Sequence, residues 1–292
     1  DDQVLGQVVI NNRELDDLII ARSDGTPTYN LTVVVDDMDM AISHVIRGDD
    51  HINNTPRQMN LLAAMGGQLP TYAHLPMILG ADGKRMSKRH GAVSVSAYAE
   101  EGYLPAALMN YLVRLGWSHG DQEIFSMPEM IALFSLDSVN KSAAAFDLDK
   151  LQWLNQHYIK SASDQTIADW LAQAFRQKGI AHPDREKLTA VAAIQKDRYK
   201  TVSELTAHSE YFFIDAIDTY DEKSVSKHFK ASTADLFGAM LARFEQITEW
   251  TAANIQAALD SYMAHSGLKL GKVAPPLRIE NDYQIVHVAD FG

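Results

Sequence analysis

Lys84-Arg85-Met86-Ser87-Lys88-Arg89-His90 concentrates four full positive charges and a hydroxyl within seven residues. It follows a short apolar run and lies close to Gly80 and Gly83. Such a loop suits a nucleoside triphosphate, because a lysine is a mobile point charge that can follow phosphate oxygens as charge builds on a leaving group. The spacing is not that of a Walker P-loop, since G-x-x-x-x-G-K-[ST] does not occur. By residue type alone, a solvated basic surface loop or a nonspecific RNA patch remains an open alternative.

Other chemistry-bearing residues are less distinctive. Asp36, Asp37, Asp39, Asp49 and Asp50 suggest a divalent metal or an acid–base pair, but all fall where a turn or strand end would be solvated. His51, His74 and His90 are the histidines nearest the basic loop, and none shows metal-ligand spacing. Lys196, Arg198 and Lys200 surround Tyr199, a basic patch with an aromatic of the kind that reads RNA loops by stacking. A plain solvated helix face has the same composition. Taken alone, Tyr29 reads as a core aromatic and Arg47 as an ion-pair partner of Asp49 or Asp50.

The elements that must position these residues change character along the chain. Up to about residue 80 the pattern is mixed. Leu18–Arg22 and Tyr29–Val35 read as short strands separated by the turn Ser23-Asp24-Gly25-Thr26-Pro27, which places Tyr29 on a strand. His44–Arg47 reads as a third. Thr55 is the expected N-cap of a helix with Pro56 at its first position, running to about Met65 and stopped by Gly66-Gly67. Leu75–Leu79 reads as a buried strand leading into the basic loop. Strand, helix, strand and loop is the grammar of a parallel sheet with its site at the carboxyl ends of the strands.

Beyond residue 91 the periodicity is helical. A helix is expected over Leu104–Leu115, closed by Gly116. Another is capped by Ser163 or Asp164, carries Ile167, Trp170, Leu171, Ala174 and Phe175, and ends at Gly179. Phe237, Met240, Leu241 and Phe244 mark a third, and Thr251 caps a fourth with Ile255, Leu259, Tyr262 and Met263, ending at Gly267. Residues 161–280 therefore read as a helical bundle. The tail, 279–292, is polar and unpatterned apart from Ile285-Val286-His287-Val288.

Composition narrows the function classes. The 292 residues are 46% hydrophobic and 22% charged, ordinary for a globular chain. With no cysteine there is no disulfide, thiolate zinc site or cysteine nucleophile, which fits a reducing cytosol. No apolar run reaches the length of a membrane span. The net charge is −12, with 11 basic and 20 acidic side chains in 1–150 against 15 and 18 in 151–292. A generally basic nucleic-acid-binding surface is excluded, so any polyanion site is local.

Several stretches together carry a resemblance. Arg85-Met86-Ser87-Lys88-Arg89 resembles the KMSKS loop of class I aminoacyl-tRNA synthetases, in the form found in bacterial glutamyl-tRNA synthetases. Asp24-Gly25-Thr26-Pro27-Thr28-Tyr29-Asn30, the run Val45–Gln58, Tyr111–Trp117 and Lys150–Asn155 resemble the same family. The likeness covers about 1–278 and is densest to about 160. It implies the second half of a Rossmann-type catalytic domain with the end of the acceptor-binding insertion (1–90), a stem-contact region (91–160) and a helical anticodon-binding module (161–278). The expected fold class is thus α/β followed by all-α.

The resemblance also implies roles. Tyr29 and Arg47 bind glutamate, a guanidinium fork suiting a carboxylate and a phenol a directional hydrogen bond. Arg85, Met86, Ser87, Lys88 and Arg89 bind ATP, with Lys88 acting on the reacting phosphate. Arg198, Lys196 and Lys200 meet tRNA. ATP enters with Mg²⁺ held by its own phosphates, no zinc site is expected, and the partners are tRNA(Glu), glutamate and ATP in a cytoplasmic enzyme, monomeric when complete. The family's HIGH-type half has no counterpart in these residues, so the stretch reads as an internal or truncated portion and an incomplete catalyst by itself. A glutaminyl-tRNA or glutamyl-queuosine type of synthetase, and a non-catalytic tRNA-binding fragment, are the alternatives.

Overall fold

Residues 1–86, 94–180, 183–214 and 222–277 are described by the computed structural model. They divide into two compact units, Asp1–Tyr158 and Ile159–Gly292. The first is α/β and the second helical, as the periodicity predicts.

In the first unit Tyr29–Asp39 forms a helix, α1, and not the expected strand. Three consecutive valines favour a strand locally, but Leu31, Val34, Val35 and Met38 also repeat at helical offsets, and Val34 is buried. Thr28, extended, precedes the first turn. The expected strand Leu18–Arg22 is reduced to a single antiparallel bridge between Ala21 and Pro27. Strand β1 (His44–Gly48) pairs in parallel with β2 (Thr71–Leu75), and α2 (Thr55–Ala64) is the crossover between them. Helix α1 packs on α2.

The expected strand Leu75–Leu79 is displaced. The buried strand is Thr71–Leu75, and Pro76, with no N–H to donate, separates it from β3 (Ile78–Leu79). The polar Thr71 and His74 hide β2 from a hydrophobicity reading, although Tyr72, Ala73 and His74 are all buried.

Helices α3 (Val95–Glu100), α4 (Pro105–Gly116) and α5 (Met127–Leu133) follow, then β4 (Ala144–Ala145), which pairs with β3 in parallel, and α6 (Leu148–Ser161). Tyr98, Tyr103, Leu108, Tyr111, Leu151 and Leu154 form one core of this unit. Burial pushes the Tyr98 phenol up to about 12. Asn110 is a polar hub inside it. Its Oδ1 accepts from the Phe125 amide at 2.7 Å and lies 2.8 Å from the Tyr158 hydroxyl, and its Nδ2 donates to the Glu123 carbonyl at 3.0 Å. Asn110→Ala strands buried partners and is expected to cost about 2–4 kcal/mol. Denaturant titration should show a lower midpoint with an unchanged slope; an unchanged midpoint would contradict it.

In the second unit α7 (Asp164–Gln177) is capped by Ser163, whose hydroxyl accepts from the Thr166 amide at 3.1 Å, and it ends before Gly179 at φ +88°. It packs on α8 (Arg185–Gln195) and α9 (Val202–Ala207) through Ile167, Leu171 and Phe175, all fully buried. Helices α10 (Glu222–His228), α11 (Thr233–Phe244), α12 (Ala252–Ser266) and α13 (Leu270–Leu277) complete the described part. Leu236, Met240, Ile255, Leu259, Tyr262 and Val273 are its core. Leu241, expected on the apolar face of α11, is exposed. No helix among the described residues is long and apolar enough to cross a membrane.

Candidate functional site

The parallel register sets Arg47 of β1 beside His74 of β2 at the carboxyl ends of both strands. Arg47 Nε donates to His74 Nε2 at 3.3 Å, and its Nη2 donates to Thr55 Oγ1 at 2.7 Å. Thr55 Oγ1 is also 3.0 Å from His74 Nε2. Thr55 was the expected N-cap of α2. Asn54 takes that position instead, and the Thr55 hydroxyl is committed to the arginine and the histidine.

The far side of the imidazole is held by Asp2, with Nδ1 and Oδ2 2.6 Å apart. Asp2 Oδ1 accepts from the amides of Val4 and Leu5 at 2.9 Å and of His74 at 3.2 Å. Burial pushes the Asp2 carboxyl up, but these donors, Leu5 foremost and the imidazole among them, outweigh it and hold it below its ordinary value. A carboxylate against Nδ1 assigns the ring proton to Nδ1 and leaves Nε2 as the acceptor facing Arg47. His74 is only 2% exposed. The guanidinium carbon of Arg47 lies 5.9 Å from the centre of the Tyr72 ring, which stacks on His74. Asp37 on α1 has its carboxyl raised by burial, with the Arg47 charge acting the other way.

Tyr29 opens α1 and is 51% exposed, not a core aromatic. Its hydroxyl is 3.4 Å from His51 Nδ1, which Asn54 Nδ2 approaches at 3.2 Å. The neighbouring Asn30 accepts from buried Gln58 of α2 at 2.9 Å, which ties the start of α1 to the crossover helix. The Thr55 hydroxyl, which accepts from Arg47, also lies 3.4 Å from the backbone carbonyl of His51, the partner of Tyr29.

The basic loop begins as a tight hairpin. Leu79 bridges Arg85, the Met86 amide donates to Ile78, and Gly83 turns at φ +73°. Arg85, 68% exposed at its side chain, pairs with Asp50 at 3.0 Å. Asp50 folds back over Gly48, where a Cβ would stand 2.6 Å from its Oδ1. Arg47 itself has no ion pair with Asp49 or Asp50 among the described residues. Ser87, Lys88, Arg89 and His90 lie outside the described residues, as does the tail 279–292. The five aspartates singled out in the sequence form no metal cluster, and no group of three or more His, Asp or Glu among the described residues could hold an ion.

In the second unit the three basic residues separate. Lys196 is 17% exposed at its side chain, donates to the Ala162 carbonyl at 2.7 Å and sits 2.8 Å from Asp164 Oδ1, tying the end of α8 to the start of α7. Arg198 and Lys200 are exposed between α8 and α9. Tyr199 stacks on His208 at 4.7 Å, and burial pushes the His208 imidazole down, with Glu204 opposing.

The sequence points to a structural role or a substrate hydrogen bond for His74 and to a helix cap for Thr55, and gives Asp2 no role. The available signal was a histidine inside a buried strand, which requires polar partners on both ring nitrogens.

Comparison with known proteins gives the family of the chain. Residues 1–153 match the catalytic domain of tRNA synthetases class I (E and Q), and 128–280 match an anticodon binding domain. The chain is 53% identical over 279 residues to "Glutamate--tRNA ligase 2" of Coxiella burnetii (strain Dugway 5J108-111), covering 96% of this chain and 59% of that protein. "Glutamate--tRNA ligase 1" of Coxiella burnetii (strain RSA 331 / Henzerling II) matches to the same extent. It therefore spans about three fifths of the length of these curated relatives. Among solved structures, a glutamate tRNA ligase from Elizabethkingia meningosepticum CCUG26117 in complex with its amino acid superposes with a TM-score of 0.78 at 31% identity, over all of this chain and 62% of that one. A glutamate-tRNA synthetase from Elizabethkingia anophelis gives 0.72 at 32%, over 95% and 58%.

Proposed function

The chain belongs to the class I tRNA synthetases for E and Q, and from that premise we propose that it is the greater part of a glutamate–tRNA ligase. The observation that carries the reading is Arg47: a half-buried guanidinium at a strand end, with Nε and Nη2 occupied by His74 and Thr55. Its outer edge, Nη1 and the second Nη2 hydrogen, is the fork a carboxylate accepts bidentately. Tyr29, exposed and 3.4 Å from His51, is assigned a directional hydrogen bond to the same amino acid.

The reaction has two steps. A glutamate carboxylate oxygen attacks the ATP α-phosphorus, the bond to the β-phosphate breaks, and pyrophosphate leaves. The terminal ribose hydroxyl of tRNA(Glu) then attacks the acyl carbon and AMP leaves. Neither step needs a protein nucleophile, so the chain contributes positioning and positive charge. The hairpin that starts at Ile78 carries Arg85 and Met86 and leads into Ser87, Lys88 and Arg89, which this reading assigns to the ATP phosphates. Mg²⁺ arrives with the nucleotide. Arg198 and Lys200 are assigned to tRNA; Lys196 supports them by fixing α8. The setting is the cytoplasm, and the working unit is a monomer.

The test is exchange of labelled pyrophosphate into ATP by the protein at full length, with tRNA present and each amino acid supplied in turn. Glutamate alone should support exchange. Exchange with glutamine would favour the other branch of the family, and tRNA binding without any exchange would favour a non-catalytic tRNA-binding protein.

A further inference from the structure

We propose that Asp2 and His74 are positioning residues that hold Arg47 in the orientation in which it receives a carboxylate. The inference rests on the reading of Arg47 given above and adds two residues that touch no substrate. Arg47 projects from a strand end, where a free arginine samples many rotamers and loses that freedom on binding. Here two of its nitrogens are fixed, one by His74 Nε2 and one by Thr55. An imidazole can accept from the guanidinium only while its proton sits on the other nitrogen. Asp2 Oδ2, 2.6 Å from Nδ1, enforces that tautomer. Asp2 is in turn fixed by three backbone amides on Oδ1. A carboxylate, an imidazole and a guanidinium are thereby aligned, with the first two buried and only the guanidinium left to meet a ligand.

Asp2→Asn separates a positioning role from a structural one. The asparagine oxygen can still accept from the amides of Val4, Leu5 and His74, so the local fold is retained. The amide nitrogen then faces His74 Nδ1 as a donor, and the ring proton must move to Nε2. Arg47 Nε loses its acceptor, although no atom has been removed from the site. His74→Gln is the complementary variant, since its amide can donate toward Asp2 and accept from Arg47.

Two measurements follow. In nitrogen-edited NMR of this 292-residue chain, His74 should carry its proton on Nδ1, and Asp2→Asn should move it to Nε2 and shift the Arg47 Nε–H resonance. In the full-length protein, Asp2→Asn and His74→Ala should raise the KM for glutamate by up to about tenfold, the scale of one net hydrogen bond. The KM for ATP should stay within twofold, and His74→Gln should recover most of the loss. An Arg47 resonance indifferent to Asp2→Asn, or glutamate and ATP KM values rising together, would overturn the proposal. Arg47→Ala distinguishes the two levels. If it raises the glutamate KM while Asp2→Asn does not, the positioning role fails and the function stands. If Arg47→Ala leaves glutamate KM unchanged, the assignment of Arg47 fails, whatever the NMR shows.

Discussion

Replacing Lys88 with alanine is expected to slow glutamate-dependent pyrophosphate exchange by about 10²–10³ in the full-length protein. As pyrophosphate departs, negative charge accumulates on the oxygen that bridged the α- and β-phosphates. A stabilising cation must follow it, which a lysine on a loop can do and a rigid guanidinium fork does less well. Among the basic residues of this segment, Arg85 is drawn toward Asp50 at 3.0 Å. Lys88, with Ser87 and Arg89 on either side, is the residue assigned to the transition state. The loss should fall on the rate of activation, with glutamate affinity changing less than twofold. Lys88→Arg keeps the charge but alters its reach and geometry, and should recover only part of the rate. Exchange at the parental rate in Lys88→Ala would remove this residue from the mechanism.

Arg47→Ala is expected to raise the glutamate KM by roughly 10²-fold, the scale of a charge-assisted bidentate pair of about 2–3 kcal/mol. The ATP KM should remain nearly constant, because the segment proposed to meet the phosphates follows β3 and not β1. Two further consequences follow from the contacts at the site. His74 Nε2 and Thr55 Oγ1 lose their shared donor, and Asp37, whose carboxyl burial already raises, loses the opposing Arg47 charge and moves further up. Arg47→Lys keeps the charge without the fork and should rescue the KM only in part. Equal damage to both KM values would indicate collapse of the strand end, and no effect would refute the assignment.

How far the sequence carried varied with the physics of each element. The helices of the second unit were legible because their stripes and caps are local: Ser163 and Thr251 cap where expected, and Gly179 and Gly267 turn with positive φ. The extents of the crossover α2 and strand β1 were legible too, although the cap of α2 is Asn54 and not Thr55. Helix α1 was not, because Val33-Val34-Val35 favours a strand on propensity, and the outcome was decided by packing of Val34 and its helical neighbours against α2. Strand β2 was misplaced because His74 lowers its apparent hydrophobicity, and tertiary contacts with Asp2, seventy-two residues away, and with Thr55 and Arg47 satisfy both nitrogens of the histidine buried there. At the candidate site Tyr29 and Arg47 were found by resemblance, whereas their supports were not. A hydroxyl that looks like an N-cap and an aspartate near the first residue carry no local sign that they converge on one guanidinium.

The central claim is that this chain belongs to a protein that joins glutamate to tRNA(Glu). The most direct measurement is charging of tRNA(Glu) by the full-length protein with labelled glutamate, with labelled glutamine in a parallel reaction. Accumulation of acid-precipitable glutamate that requires ATP, with none from glutamine, is the predicted result. Preferential charging with glutamine, or no charging by a protein that binds both ATP and the tRNA, would contradict it.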